Sequence, residues 1–253
     1  MDKIIILDYG SQYTQLIARR IREQHVYSEI VPFDITAERA RAYAPKGIIL
    51  SGGPNSVFEA GAPGIDRAIF DLGVPVLGVC YGMQLMSQEL GGKVQPGERR
   101  EYGKTEMTVE PGNELFKGLP DTFTVWMSHG DRVAAIPAGF QVSATSANCP
   151  YAAIRNEARR FFGIQFHPEV VHTEHGNQIL SNFVFNICRA NADWQLTTWI
   201  EDTVEKLKRQ VGDDEVVLGL SGGVDSSVAA VLLHKAIGPR LHCIFVDNGL
   251  LRW

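Results

Sequence analysis

Three short runs built almost wholly from apolar residues constrain this chain most: Ile4-Ile5-Ile6-Leu7, Gly47-Ile48-Ile49-Leu50 and Val74 to Val79. Strands buried on both faces account for such runs, because a half-wet strand would alternate apolar with polar. Between them the spacing changes. Gln12 to Gln24 carries Leu16, Ile17 and Ile21 at helical intervals, and Ile65 to Leu72 and Gly82 to Leu90 also read as helices. Val26 to Val31 reads as a further strand. Strands alternating with helices predict an α/β fold with a parallel sheet covered on both faces.

From Val94 to Gln165 the pattern shifts to short segments between Gly, Pro and Asn turns. Thr105 to Val109, Thr122 to Trp126 and Phe161 to Gln165 are predicted strands, several of them antiparallel. Asn177 to Ala190 is a predicted helix with Ile179, Leu180, Phe183, Val184 and Ile187 as its apolar stripe. A second unit starts near Ala192. Thr198-Trp199-Ile200-Glu201 has the form of a capping box. Ile200, Val204, Leu207 and Val211 then mark a helical face that stops at Gly212. Val216 to Leu220, a helix over Ser226 to Ile237, and Leu241 to Val246 complete one βαβ unit. Such a unit cannot cover its own sheet edges. The expected division is therefore a complete domain over residues 1–193 and the opening fragment of another over 194–253.

Composition narrows the partners. Of 253 residues, 45% are hydrophobic and 21% charged, as in ordinary soluble globular proteins. A net charge of −5 gives no reason to expect nucleic acid or an anionic membrane. No stretch approaches the roughly 18 apolar residues of a membrane span. The first apolar run is too short for a signal-peptide core and is followed by Asp8, so secretion is not expected. Cys80, Cys149, Cys188 and Cys243 lie far apart without CxxC spacing, which suits reduced thiols in the cytoplasm.

One of these cysteines sits differently. Gly78-Val79-Cys80-Tyr81-Gly82-Met83-Gln84 puts Cys80 at a strand-to-helix junction between glycines, where a sharp turn lifts the side chain from the sheet. The positive end of the following helix favours a thiolate, the nucleophilic form. Phe166-His167-Pro168-Glu169 follows a predicted strand. In extended backbone, which Pro168 favours at His167, residues i and i+2 point the same way. His167 is thus a candidate general base and acid, oriented by the carboxylate of Glu169. Ser51-Gly52-Gly53-Pro54 ends an apolar strand and offers backbone N–H groups to an oxyanion. His167, Glu169, His172, Glu174 and His175 crowd together, but in no metal-binding spacing, and no metal is expected there.

These three segments, in this chain order, resemble the class I glutamine amidotransferases over roughly residues 3–193. The resemblance implies a flavodoxin-like domain with a mixed, mostly parallel sheet. It implies Cys80 as nucleophile, His167 as base and acid, and Glu169 as orienter. It also implies an oxyanion hole from the N–H groups of Gly53 and Tyr81, and glutamine held by Gln84 and by Ser128, His129, Gly130 and Asp131.

Leu220-Ser221-Gly222-Gly223-Val224-Asp225-Ser226-Ser227 follows a strand and opens a helix, which aims N–H groups and hydroxyls at a phosphate site. It lacks the Gly-Lys-Ser/Thr ending of a Walker loop. The string Ser221 to Ser227 resembles the pyrophosphate loop of ATP pyrophosphatases, whose domain is adenine-nucleotide α-hydrolase-like. With Phe245-Val246-Asp247-Asn248-Gly249-Leu250-Leu251-Arg252, the whole order is similar to the GMP synthetase family. That resemblance implies glutamine, ATP and XMP as substrates, Mg2+ for the synthetase half, and a homodimer formed through a region beyond these residues. A glutamine-sensing regulatory module and the amidotransferase of another ATP-pyrophosphatase synthetase, such as an NAD-synthetase-like one, are the competing expectations.

Overall fold

The run Ile4 to Leu7 is continuous because both of its faces are covered. Ile4 and Ile6 pack into one apolar cluster with Ile17, Ile21, Ile179 and Phe183. Ile5 and Leu7 pack into another with Ile48, Leu50, Met83 and Met86. All four strand residues are fully buried, each stabilising the fold by about 1.5–3 kcal/mol relative to exposure.

The computed structural model describes residues 1–246, apart from the side chains of residues 98 and 99. Asp247, Asn248, Gly249, Leu250, Leu251 and Arg252, which entered the family resemblance, lie outside the described residues. The chain forms two compact units, Met1–Asp193 and a second from Trp194 onward.

In the first unit the order begins β1 (Lys3–Asp8), α1 (Thr14–Arg22), β2 (Tyr27–Pro32), α2 (Ala37–Ala42), β3 (Gly47–Leu50), β4 (Val76–Val79) and α3 (Tyr81–Glu89). It continues β5 (Lys93–Val109), β6 (Thr122–Ala135), β7 (Gln141–Ser146), β8 (Ala153–Asn156), β9 (Phe161–Ile164) and α4 (Gly176–Ser181). One nine-stranded sheet has the order β2-β1-β3-β4-β9-β8-β7-β5-β6. β2, β1, β3, β4 and β9 run parallel. The rest pair antiparallel. The sheet is thus mixed, an α/β architecture.

Several local expectations need correction. The segment Ile65 to Leu72 is no α-helix; Arg67–Asp71 makes a tight 3-10 turn capped by the Asp66 carboxylate, which accepts from Ala68 N–H at 3.1 Å. Gly64 and Gly73 bracket it and leave little room for more. Beyond Ser181 the predicted long helix widens into a π-helical turn, Asn182–Ile187. There Asn182 Nδ2 donates to the carbonyls of Leu115 and Lys117 at 2.9 and 3.0 Å. The strands expected from Thr105 and to Trp126 are parts of the much longer β5 and β6.

The second unit holds α5 (Leu196–Val211), β10 (Val216–Leu220), α6 (Val224–Ile237) and β11 (Leu241–Phe245), with β10 and β11 parallel. α5 starts two residues before Thr198, and its first bond runs from Trp199 N–H to the Gln195 carbonyl at 3.1 Å. Thr198 therefore lies inside the helix and is not its cap. No helix among the described residues is long and apolar enough to cross a membrane.

Candidate active site

The carboxyl ends of β1, β3, β4 and β9 meet at one edge of the sheet, the usual place for a site in an open α/β fold. Ser51, just past β3, ties the end of β1 and the start of α3 to it. Its hydroxyl accepts from Tyr9 N–H at 3.0 Å, and its carbonyl takes Gly82 N–H at 3.1 Å. A side chain on Gly82 would put its Cβ 2.3 Å from the Leu50 carbonyl oxygen, so α3 can approach β3 this closely only with glycine there.

Cys80 joins β4 to α3 with φ 51° and ψ −106°, backbone that a non-glycine residue adopts only under strain. Its N–H donates to the Ile164 carbonyl at 2.8 Å, which continues the β4–β9 pairing and locks the elbow. The thiol is 5% exposed and lies 3.6 Å from the Ser128 carbonyl, its acceptor.

β9 runs beside β4, and the chain leaving it delivers His167 to the same edge. His167 N–H donates to the Trp126 carbonyl at 3.1 Å, and Thr173 Oγ1 donates to the His167 carbonyl at 2.6 Å. With its backbone held on both sides, the imidazole presents Nδ1 to Glu169 Oε1 at 2.8 Å. Cys80 engages the same ring. Burial opposes charge on this imidazole, but the hydrogen bonds with Cys80 and Glu169 and the negative charge of both outweigh it and push its pKa up to about 10. Tyr13 meets the ring edge-on, 5.2 Å between centroids.

A cavity of about 630 Å3 opens beside Cys80 and His167. Gly53, Tyr81, Gln84, Ser128, His129, Gly130 and Asp131 all line it. A Cβ on Gly53 would meet the Tyr9 carbonyl at 2.7 Å and the Tyr81 ring at 3.3 Å, so the two expected oxyanion donors belong to segments packed on each other. Gln84 is already engaged inside the wall: its Nε2 donates to the Asp131 carbonyl at 2.8 Å and to Gln165 Oε1 at 3.2 Å. The Asp131 carboxylate accepts from the Ser56 hydroxyl.

Sequence reasoning missed several neighbours. Gln165, fully buried, donates Nε2 to the Cys80 sulfur at 3.7 Å. Register carried that signal, since β9 next to β4 sets residue 165 beside residue 80. Arg100, Tyr102 and Glu59 also line the cavity. The other residues crowded near His167 have separate partners. His172 lies tilted against the Trp126 ring at 4.7 Å between centroids, and His175 meets Phe123 edge-on at 5.5 Å. The Glu174 carboxylate accepts from Thr124 N–H at 2.8 Å.

In the second unit, Ser221, Gly222 and Gly223 link β10 to α6, and Asp225, Ser226 and Ser227 fall in the helix's first turn, because α6 begins at Val224 rather than at Ser226. Gly222 adopts φ 77°. The Ser226 and Ser227 hydroxyls donate to the Gly223 carbonyl at 3.1 and 2.9 Å. Gly223 N–H reaches Ser221 Oγ at 3.4 Å. The loop is largely exposed.

Residues 5–187 match the glutamine amidotransferase class-I family, and residues 194–246 match the NAD synthase family. A GMP synthase [glutamine-hydrolyzing] of Lacticaseibacillus casei is 58% identical over 252 residues, 99% of this chain and 49% of that protein. A protein of the same name from Bacillus cereus is 58% identical over 251 residues, again 99% of this chain and 49% of its own length. The chain thus spans about half the length of the curated relatives it matches. A solved structure of a candidate GMP synthase subunit from Thermoplasma acidophilum superposes with a TM-score of 0.68 at 36% identity, covering 75% of this chain and 94% of that one. On these matches the chain belongs to the class-I glutamine amidotransferase family.

Proposed function

We propose that Cys80, His167 and Glu169 hydrolyse glutamine, and that the chain forms the ammonia-producing half of a glutamine-hydrolysing GMP synthase. The observation that carries the first part is the line of contacts from the strained Cys80 elbow through the His167 ring to Glu169 at 2.8 Å. The second part rests on the 58% identity to GMP synthases and on the Ser221–Ser227 loop.

The chemistry follows from the geometry. The Cys80 thiolate attacks the side-chain amide carbon of glutamine, forming the S–C bond. Negative charge moves to the amide oxygen, which the Gly53 and Tyr81 N–H groups receive. Such a donor is worth roughly 3–4 kcal/mol in the transition state. The C–N bond breaks as the His167 imidazolium gives its proton to the departing ammonia. Water then attacks the thioester, His167 takes back a proton, and glutamate leaves as the S–C bond breaks. Glu169 holds the ring in the tautomer that these steps need.

In the longer protein ammonia would meet an XMP activated by ATP, yielding GMP, AMP and pyrophosphate. The Ser221–Ser227 loop, at a helix N-terminus, would take the ATP phosphates. Mg2+ prefers oxygen ligands, and the Asp225 carboxylate and the hydroxyls of Ser226 and Ser227 are of that type. When bound, the ion neutralises phosphate charge. A cytoplasmic homodimer is part of the same proposal.

A diazoketone analogue of glutamine tests the hydrolytic site. It should attach once, at Cys80, in the wild-type protein and not at all after Cys80→Ala. Attachment in the Ala variant would sink the assignment.

A further inference from the structure

The cavity wall holds a buried pair that no step of the reaction uses, His129 lining the cavity and Glu101 set beside it. Glu101 and His129 face each other across the antiparallel ladder of β5 and β6. Between Pro96, paired with Asp131, and Glu101, paired with His129, β5 carries extra residues opposite Gly130 alone. Glu101 is thus the first residue to rejoin the ladder after a wide bulge, a device that re-aims side chains. Both residues of the pair are more than nine-tenths buried.

The hydrogen bonds settle which ring nitrogen of His129 carries a proton. His129 Nδ1 lies 2.9 Å from the Asp131 carbonyl, which only accepts, so Nδ1 is the donor. Nε2 then points at Glu101 Oε2 from 3.1 Å, yet neither that nitrogen nor either Glu101 oxygen has a well-directed hydrogen bond among the described residues. A bare nitrogen lone pair facing a carboxylate in a dry interior is repulsive. Burial holds the His129 pKa below its usual value against the pull of Glu101, but one proton held between Nε2 and Glu101 removes the repulsion. The Asp131 carbonyl held by this ring is the same one that takes Gln84 Nε2 at 2.8 Å.

The geometry points to Glu101 as a positioning residue: by sharing one proton with His129 it clamps the Asp131 carbonyl, and with it Gln84 and the wall against which glutamine sits. This rests on the amidotransferase reading of the same cavity. Cys149, also buried, brings its sulfur within 4.8 Å of both partners, and the three donors are of a kind that zinc takes. Burial, with Glu101 nearby, pushes the Cys149 thiol up to about 12, however, and one proton satisfies the pair without an ion.

Two electrophiles separate positioning from chemistry. The diazoketone analogue of glutamine needs the binding wall, whereas iodoacetamide reports only on the Cys80 nucleophile; both are read on the Cys80 peptide by mass spectrometry. Glu101→Ala should raise the half-saturating concentration of the analogue at least tenfold, with the maximal labelling rate and the iodoacetamide rate each within threefold of wild type. Glu101→Gln, whose amide can donate to Nε2, should restore half-saturation to within threefold. If Glu101→Ala fails to fold, Glu101→Asp, with its shorter reach, serves instead and should raise half-saturation at least threefold. Unchanged half-saturation, an equal loss with both reagents, a Gln variant as poor as Ala, or stoichiometric zinc in the purified protein would each overturn the proposal. Wild-type protein that takes no analogue overturns the amidotransferase reading instead. The clamp is then judged by 15N spectra of His129: with Nδ1 protonated throughout, Nε2 should show a shared proton in wild type and a donated hydrogen bond in Glu101→Gln, and should move to the position of a bare pyridine-type nitrogen in Glu101→Ala; an Nε2 unchanged in the Ala variant overturns it.

Discussion

The molecule uses the strand-to-helix junction twice, at Val79-Cys80-Tyr81 and at Leu220 to Val224, and builds opposite things from it. At the first, one residue makes the whole turn, with φ 51° on a cysteine. At the second, three residues, Ser221, Gly222 and Gly223, spread the turn, and the positive φ falls on glycine. The first is roofed by β6 and by the chain leaving β9, so Cys80 is 5% exposed and bonded through its N–H to Ile164. At the second, the hydroxyls of Ser226 and Ser227 bond back to the loop's own Gly223 carbonyl and the segment faces solvent. A tight, covered turn stores strain and aims one atom. A wide, open one gathers N–H groups and hydroxyls around a space that an anion can fill.

Substitutions can break this contrast. Cys80→Ala carries the largest effect, complete loss of glutamate release from glutamine, while any loop change in the second unit leaves labelling of Cys80 within twofold. Glu169→Gln comes next, with labelling by the glutamine analogue falling about 10²–10⁴-fold because His167 loses its orienter. The same variant has a pH signature. His167 has its pKa raised in the folded protein from 6.5 to about 10, so it binds its proton more tightly folded than unfolded. The resulting stabilisation is fully present below about pH 6.5 and is lost as pH rises through about 10. The melting temperature of wild type should therefore exceed that of Glu169→Gln most at the acid end of this window, with the gap narrowing towards its alkaline end. A gap that widens with pH would contradict the pairing.

The glycines sharpen the comparison further. Gly82→Ala forces a methyl to 2.3 Å from the Leu50 carbonyl and should cost about 1–3 kcal/mol in chemical denaturation, along with slower Cys80 labelling. Gly222→Ala meets strain from φ 77° alone, at about 1 kcal/mol, with labelling unchanged.

Legibility in the sequence followed burial. Ile4–Leu7, Gly47–Leu50 and Val76–Val79 were plain because both faces of each strand are covered. β5, seventeen residues long, is legible only from Thr105, because its first half carries Pro96, a bulge and several charges in place of an apolar stripe. α2 escaped because only Ala37 and Ala40 of its six residues are buried, too little for a period to show. In the site, Cys80 and the His167–Glu169 step could be singled out from local spacing, since a tight turn and an i, i+2 pair are local features. Gln165 and Glu101 could not be, because their partners come from strand register and from a bulge that shifts it. Gln84 lines the cavity as expected of a substrate-holding residue, while its Nε2 donates to the Asp131 carbonyl, a partner that only the fold reveals.

The most direct measurement is to quench the protein with acid during exposure to glutamine and map any covalent adduct by mass spectrometry. A triad at Cys80 predicts a γ-glutamyl thioester on the Cys80 peptide, cleaved by hydroxylamine and absent from Cys80→Ala. A glutamyl adduct on another residue, or glutamate released from glutamine by the Cys80→Ala protein, would contradict it.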